Sequence, residues 1–322
     1  MESRLNRRRF IHNSLISTTA GVLAVGADAG MSGSIVHAAA ESQTDMPQGR
    51  IGRMSVSRLL LGGNLLTHFT HSRDLKYVYT LAAQYNTEEK ILETLALAES
   101  NGVNTLVIHT TPWTDAILRK YKKQGGKIQV IMCPTAVVDD SMEAYRQQVR
   151  YIADMGINAL YLWGVRADEL AAKGRSDLIA KAVEIVREYN LPSGVGAHDI
   201  EVIRQCEKGK VDADFYVKTF HHHNYPTGPK AGEVSGPTAE IPGYWCSNPG
   251  EVIETMKTVG KPWIAFKVMA AGAIPPADAF KYAFDNGADH VLAGMFDFEI
   301  ADDARTAKKV LSSVNRSRPW RS

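Results

Sequence analysis

The chain has 322 residues, of which 44% are hydrophobic and 22% charged, and its formal charge is +2. This composition is ordinary for a globular protein, and the length admits one large α/β barrel or two smaller domains. The near balance of charge offers no basic surface for nucleic acid. No segment beyond the first forty residues has the ~18 consecutive apolar residues of a membrane span.

The N-terminus reads as an address. Arg7-Arg8-Arg9-Phe10-Ile11 presents a twin arginine followed by Phe and an aliphatic, Ser14 to Ala27 is uncharged, and Ala38-Ala39-Ala40 places small residues before Glu41. A basic start, a modest apolar stretch and an A-x-A site describe an export signal, and the paired Arg points to the twin-arginine machinery. The expectation is a cleaved signal over 1–40, a linker over 41–50, a folded unit over 51–314 and a flexible tail over 315–322, in an exported, periplasmic or otherwise extracytoplasmic protein with no stable membrane span once mature. Cys133, Cys206 and Cys246, without a C-x-x-C, make neither a disulfide framework nor a thiolate zinc site.

From Arg50 onward, short β-type runs alternate with amphipathic stretches, the signature of a parallel sheet wrapped by helices. Arg58 to Asn64 is the first strand, followed by a long polar loop and a helix over Thr87–Asn101 whose apolar Ile91, Leu95 and Ala98 share one face. Thr105–His109, Ile128–Cys133 and Ala159–Trp163 are the next strands, with helices over Pro112–Gln124, Ser141–Met155 and Arg175–Tyr189. Ser193–His198 leads directly into a helix through Arg204, and Asp214–Thr219 into a Gly- and Pro-rich loop that runs to Trp245. A helix starts at Asn248-Pro249, where Pro suits the first turn. Trp263–Val268 and His290–Met295 complete the strands, with helices over Pro276–Asn286 and Ile300–Ser312. Eight strand–helix units over ~260 residues predict an α/β fold of the (β/α)8 TIM-barrel type. The strands are apolar on both faces, as buried parallel strands are.

Several segments resemble the aldo/keto reductase superfamily. Ile51-Gly-Arg-Met-Ser-Val-Ser-Arg-Leu-Leu-Leu-Gly-Gly-Asn64 is similar to that family's opening, a short hairpin closing the barrel floor before a strand that ends in Gly. Asn101-Gly-Val-Asn104, Gly156-Ile-Asn-Ala-Leu-Tyr-Leu-Trp163 and Val291-Leu-Ala-Gly-Met295 resemble the starts of its second, fourth and eighth units. The resemblance implies a barrel with a floor hairpin. The family's Asp–Tyr–Lys–His tetrad hands a proton to a carbonyl oxygen. Carried onto this chain, those positions fall at Val107, near Pro112-Trp113, at Cys133-Pro134 and at Trp163-Gly164, so the residues of that mechanism are missing. Asp297 and Glu299 stand where the family binds the cofactor's phosphate, which argues against NADPH.

In such barrels the C-terminal strand ends form the active site. Here they carry His68 and His71, then His109, Cys133 and Trp163, then His198 with Asp199, Lys218 with His221 to His223, Lys267 and Asp297. Three chemistries fit. A divalent metal could be held by His109, His198 and His221 with Asp297. Lys218 or Lys267, at the end of an apolar strand, could act as a base, form a Schiff base or hold a carboxylate. His198 or His221 could do acid–base work on a sugar-like ring stacked against Trp113, Trp163, Trp245 and Tyr225. The candidate catalytic set is His198, Lys218, His221, Lys267 and Asp297. The function these residues predict is lyase, isomerase or hydrolase chemistry on a small polar or sugar-derived molecule. The alternatives are an NAD(P)H oxidoreductase with a rearranged proton donor and a non-catalytic binding protein.

Overall fold

A computed structural model describes residues 45–230, 233 and 245–322. The expected export signal, and most of the loop over 224–244, lie outside them. Parallel strands β3 (Leu59–Gly62), β4 (Thr105–His109), β5 (Gln129–Cys133), β6 (Ala159–Leu162), β7 (Ser193–Ala197), β8 (Phe215–Thr219), β9 (Trp263–Phe266) and β10 (His290–Ala293) close into one barrel in chain order. The predicted TIM barrel is the observed fold.

Helix signals fall where the residues require them. In α2 (Glu88–Ser100) the N-cap Thr87 accepts the Lys90 N–H, and in α3 (Pro112–Lys123) Thr111 accepts that of Thr114 with Pro112 in the first turn. Three helices continue the series: α4 (Glu143–Asp154), α6 (Ser176–Arg187) and α7 (Ile200–Lys208). They bury Val149 and Ile152, Ile179 and Val183, and Val202 and Ile203 against the barrel's outer face. Two helices were not expected from the sequence. The loop after β3 contains α1 (Tyr77–Tyr85), and α5 (Gly164–Ala172) starts immediately beyond Trp163. The set is completed by α8 (Pro249–Thr258), α9 (Pro276–Asp285) and α10 (Asp297–Leu311).

Strand pairing followed round the barrel returns to β10 about eight residues lower, the shear of this barrel class. The shear sorts the inward side chains into layers contributed by alternate strands. Leu60, Ile131, Gly194 and Ile264 form one layer, and Val107, Tyr161, Val217 and Leu292 the next. The third is Gly62, Cys133, Gly196 and Phe266. With two glycines in it, the third layer cannot fill the barrel, so the second layer becomes the floor of a cavity open at the mouth: Val107, Tyr161, Val217 and Leu292 all line it.

The other end is shut twice. The antiparallel hairpin of β1 (Gln48–Ile51) and β2 (Met54–Ser57) inserts Ile51, Met54 and Val56 beneath the lowest layer. Asn104 ties it on, accepting the Ser57 N–H at 2.9 Å and donating to the Ser55 carbonyl at 3.0 Å. The hairpin therefore starts inside the stretch expected to be linker. The second closure corrects the expected flexible tail. Arg318, fully buried, donates to Asp289 at 2.6 Å and to the carbonyls of Gly287, Val259 and Lys261. Trp320 lies between the guanidinium groups of Arg58 and Arg316, 3.9 and 3.4 Å from its ring centre. His290 meets the Ser322 hydroxyl at 2.6 Å. The polar tail is ordered because its charges are satisfied by buried partners rather than by water.

Candidate active site

At the mouth is a cavity of about 550 Å³ walled by Trp163, Trp245, Phe69 and Phe266. Its polar lining includes His71, His109, His198 and Lys267, and no Asp or Glu among the described residues. Alternation along the strands explains this choice. On β4, Leu106 and Ile108 face the helices while Val107 and His109 face inward; on β7 the inward series Gly194, Gly196 leads to His198.

His198 is held by Asp168 of α5. The carboxylate lies 2.7 Å from Nδ1 and also accepts the backbone N–H groups of His198 (3.1 Å) and Asp199 (3.0 Å). A carboxylate only accepts, so Nδ1 carries the proton and Nε2 offers its lone pair to the cavity. Lys267 Nζ stands 3.4 Å from that Nε2 and 4.6 Å above the Trp245 ring. Burial lowers the His198 pKa; the Asp168 hydrogen bond works against it and the Lys267 charge with it. The imidazole is thus a neutral base with a fixed orientation. Gly164 fixes it further, because a Cβ there would sit 3.2 Å from His198 Cε1 and Nδ1.

The remaining lining is set by burial. His109 is lowered by desolvation, and His71 is driven to about 2 by burial together with the nearby charges of Lys267, His198 and His109. Cys133 is pushed up to about 12 by burial, which makes it a core thiol. His71 and Lys267 both have left-handed backbones, φ +50° and +56°, a conformation costly for residues with a Cβ and concentrated at functional sites.

Of the residues picked out in the sequence, the cavity brings together His109, His198 and Lys267 and leaves three outside. Lys218 alternates with the inward Val217 and points away from the barrel axis, where its buried Nζ donates to the Thr219 carbonyl at 2.7 Å and hydroxyl at 3.1 Å. His221 is buried behind Trp245, their ring centres 6.4 Å apart, and is lowered to about 3 by burial and the charges of His223 and Lys218. Asp297, in the first turn of α10, accepts from the Tyr85 hydroxyl at 2.7 Å and Lys90 at 3.0 Å. Burial raises its pKa, and these two hydrogen bonds more than reverse the rise. The proposed metal set is therefore split, and the described residues contain no group of three or more His, Cys, Asp or Glu placed to hold an ion. Asp168 escaped the sequence reading. Its signal is the acid four residues after Gly164, on the helix that the sequence does not predict.

No family model matches the chain, and neither does any curated protein. Solved structures do. Two assigned as aldo-keto reductases from Pseudomonas aeruginosa share 17% and 18% identity, with TM-scores of 0.55 and 0.56. They cover 82% and 84% of this chain, and 95% and 99% of their own. An aldo-keto reductase from Bacillus halodurans in its holo form is 10% identical at a TM-score of 0.52, over 86% of this chain and 100% of that one. The barrel is similar in fold to these aldo-keto reductases. The likeness is one of fold, and the positions the family resemblance gives to the catalytic tetrad include Val107, Cys133 and Trp163, all lining the cavity. No helix among the described residues is long and apolar enough to cross a membrane.

Proposed function

We propose that this protein is an exported enzyme that moves a proton on a small sugar-derived carbonyl compound, with no net oxidation. His198 Nε2 removes a proton from the carbon next to the carbonyl. Asp168 positions the ring and stabilises the imidazolium that forms. Lys267 Nζ lies beside the reacting nitrogen, where it holds the oxygen on which charge develops. Trp163 and Trp245 supply flat walls for a sugar carbon skeleton. The observation that carries this is the run Asp168–His198–Lys267 ending on the cavity.

The α10 terminus weighs against binding NADPH in the family's manner. Glu299 accepts the Phe296 N–H at 2.8 Å, so the helix's own acid occupies a donor that would face a phosphate, and Asp297 adds a second negative charge. No step is routed through that cofactor, nor through a metal, whose proposed ligands are dispersed. Export rests on Arg7-Arg8 and the alanines before Glu41. Replacing both arginines by Lys is expected to leave the precursor in the cytoplasm on cell fractionation.

The test is solvent exchange. The mature protein, incubated in D2O with free hexoses, is expected to place deuterium on the carbon next to the carbonyl, and His198→Asn to abolish this for the sugar whose proton faces His198. Exchange that this substitution leaves unchanged in every hexose sinks the proposal. The fold likeness favours one competing reading, an NADPH-dependent reductase. Saturable quenching of tryptophan fluorescence by NADPH, with oxidation on adding a sugar, would establish it instead.

A further inference from the structure

We propose that His109 is a second proton-transfer residue, facing His198 across the mouth, and that the enzyme inverts a stereocentre next to a carbonyl by working on its two faces. This rests on the acid–base function above and deepens it. His109 ends β4 and His198 follows β7, three strands apart in a closed ring of eight. Both side chains line the same cavity.

Their heights agree as well. The pairing carries His109 to Cys133, and the registers of the next two strand pairs carry that level to Tyr161 and Gly194. With about one residue of shear per strand, the level of His109 on β7 lies beside Ala197. His198 is thus within roughly one residue, ~3 Å along the strand, of the same height. The other side chains at that level are Trp163, Thr219 and Gly294, none of which titrates near neutral pH. Thr219 is also occupied, donating to the Trp245 carbonyl at 2.8 Å. His71 borders the cavity from the loop after β3, but its pKa of about 2 makes it a poor proton carrier. His109, partly exposed at the mouth and lowered only by desolvation, is the better matched group.

The step balances without a co-reactant. His198 Nε2 takes the proton, and the C–H electron pair passes to the carbonyl oxygen as an enediolate beside Lys267 Nζ. Protonated His109 then delivers a proton to the opposite face, and the carbonyl re-forms with the carbon inverted. Nothing is oxidised, reduced or expelled. His198 ends protonated and His109 neutral, and exchange with water at the open mouth, or turnover of the other epimer, resets them. The substrate class is a free reducing sugar or ketose with a hydroxyl on the carbon that inverts.

The probes are two epimeric pairs, D-glucose with D-mannose and D-fructose with D-psicose, followed in D2O by NMR. The expected result for at least one pair is deuterium at the carbon next to the carbonyl together with the inverted sugar. His109→Asn is expected to slow interconversion by about 100-fold or more, while His198 still exchanges the proton of one epimer. His109→Gln and a thermal melt show whether any loss is one of folding. Exchange with retained configuration, or interconversion at the parent rate in both variants, overturns the role of His109 and leaves the acid–base function standing. Absence of exchange with all four sugars, or exchange indifferent to His198→Asn, overturns that function and this inference with it.

Discussion

Deleting residues 316–322 is expected to destabilise the barrel far more than trimming an ordinary C-terminus. The deletion removes Arg318, whose side chain is fully buried, and strands Asp289, also fully buried, 2.6 Å from where the guanidinium stood. Asp289 keeps the Trp263 N–H at 2.9 Å but loses Arg316 and the Arg321 N–H. Removing one partner of a buried ion pair costs about 3–5 kcal/mol, because the other charge stays buried and uncompensated. The carbonyls of Val259, Lys261 and Gly287 lose their donor too, each worth about 1 kcal/mol. At about 2 °C per kcal/mol for a domain of this size, these losses together should lower the melting temperature by about 12 °C or more. Urea unfolding followed by circular dichroism measures the free energy directly, and Arg318→Met isolates the ion pair from the rest of the tail. A deletion costing less than about 1 kcal/mol would show that the tail is frayed after all and that Asp289 finds another partner.

Four further outcomes follow from the site and its surroundings. Asp168→Asn should lower the proton-exchange rate by about 10²–10⁴, since it removes the negative charge that stabilises the imidazolium and replaces one of the two acceptor oxygens by an NH2 donor; an unchanged rate would remove Asp168 from the site. Gly164→Ala pushes a methyl against His198 and should cut the rate without unfolding the protein, whereas Gly196→Ala should unfold it, because its Cβ would meet the Gly164 nitrogen at 2.8 Å and the Leu162 carbonyl at 2.9 Å. Lys218→Met should leave activity within a few-fold of the parent and stability unchanged or raised, since burial of Lys218 opposes its charge; lost activity with an intact fold would return Lys218 to the site. Finally, His71, His221 and His290 have folded pKa values near 2, 3 and 4, lowered chiefly by burial from 6.5. Each binds its proton only when unfolded, so the stability is full above about pH 6.5 and falls as the pH drops toward 4. The slope is about 1.4 kcal/mol per pH unit for each imidazole. Denaturant melts at pH 7, 6 and 5 measure it, and a flat profile would show that these rings are hydrated.

The periodicity of apolar runs was enough to place all eight barrel strands and to put His109, His198 and Lys267 at their C-terminal ends. That information is local, because a buried strand must be apolar and its end is marked by the first polar residue. Phase within a strand was not legible. Phe215-Tyr-Val-Lys218 is apolar on both faces, so nothing in it says whether Val217 or Lys218 points inward. The neighbouring registers decide, and they turn Lys218 outward. Partners distant in the chain were equally hidden. Asp168 acts on His198 across thirty positions, and Arg318 finds Asp289 at a similar remove, while both stretches read locally as polar, solvent-facing segments.

The sequence by itself therefore determined the barrel and the address of its mouth, because burial and helix capping depend on residues a few positions apart. Tertiary structure alone decided which of the histidines and lysines share one cavity and which carboxylate holds His198. It also decided that a charged tail closes the floor. Those outcomes depend on the shear of the closed sheet and on electrostatic pairing between segments that meet only when the barrel closes.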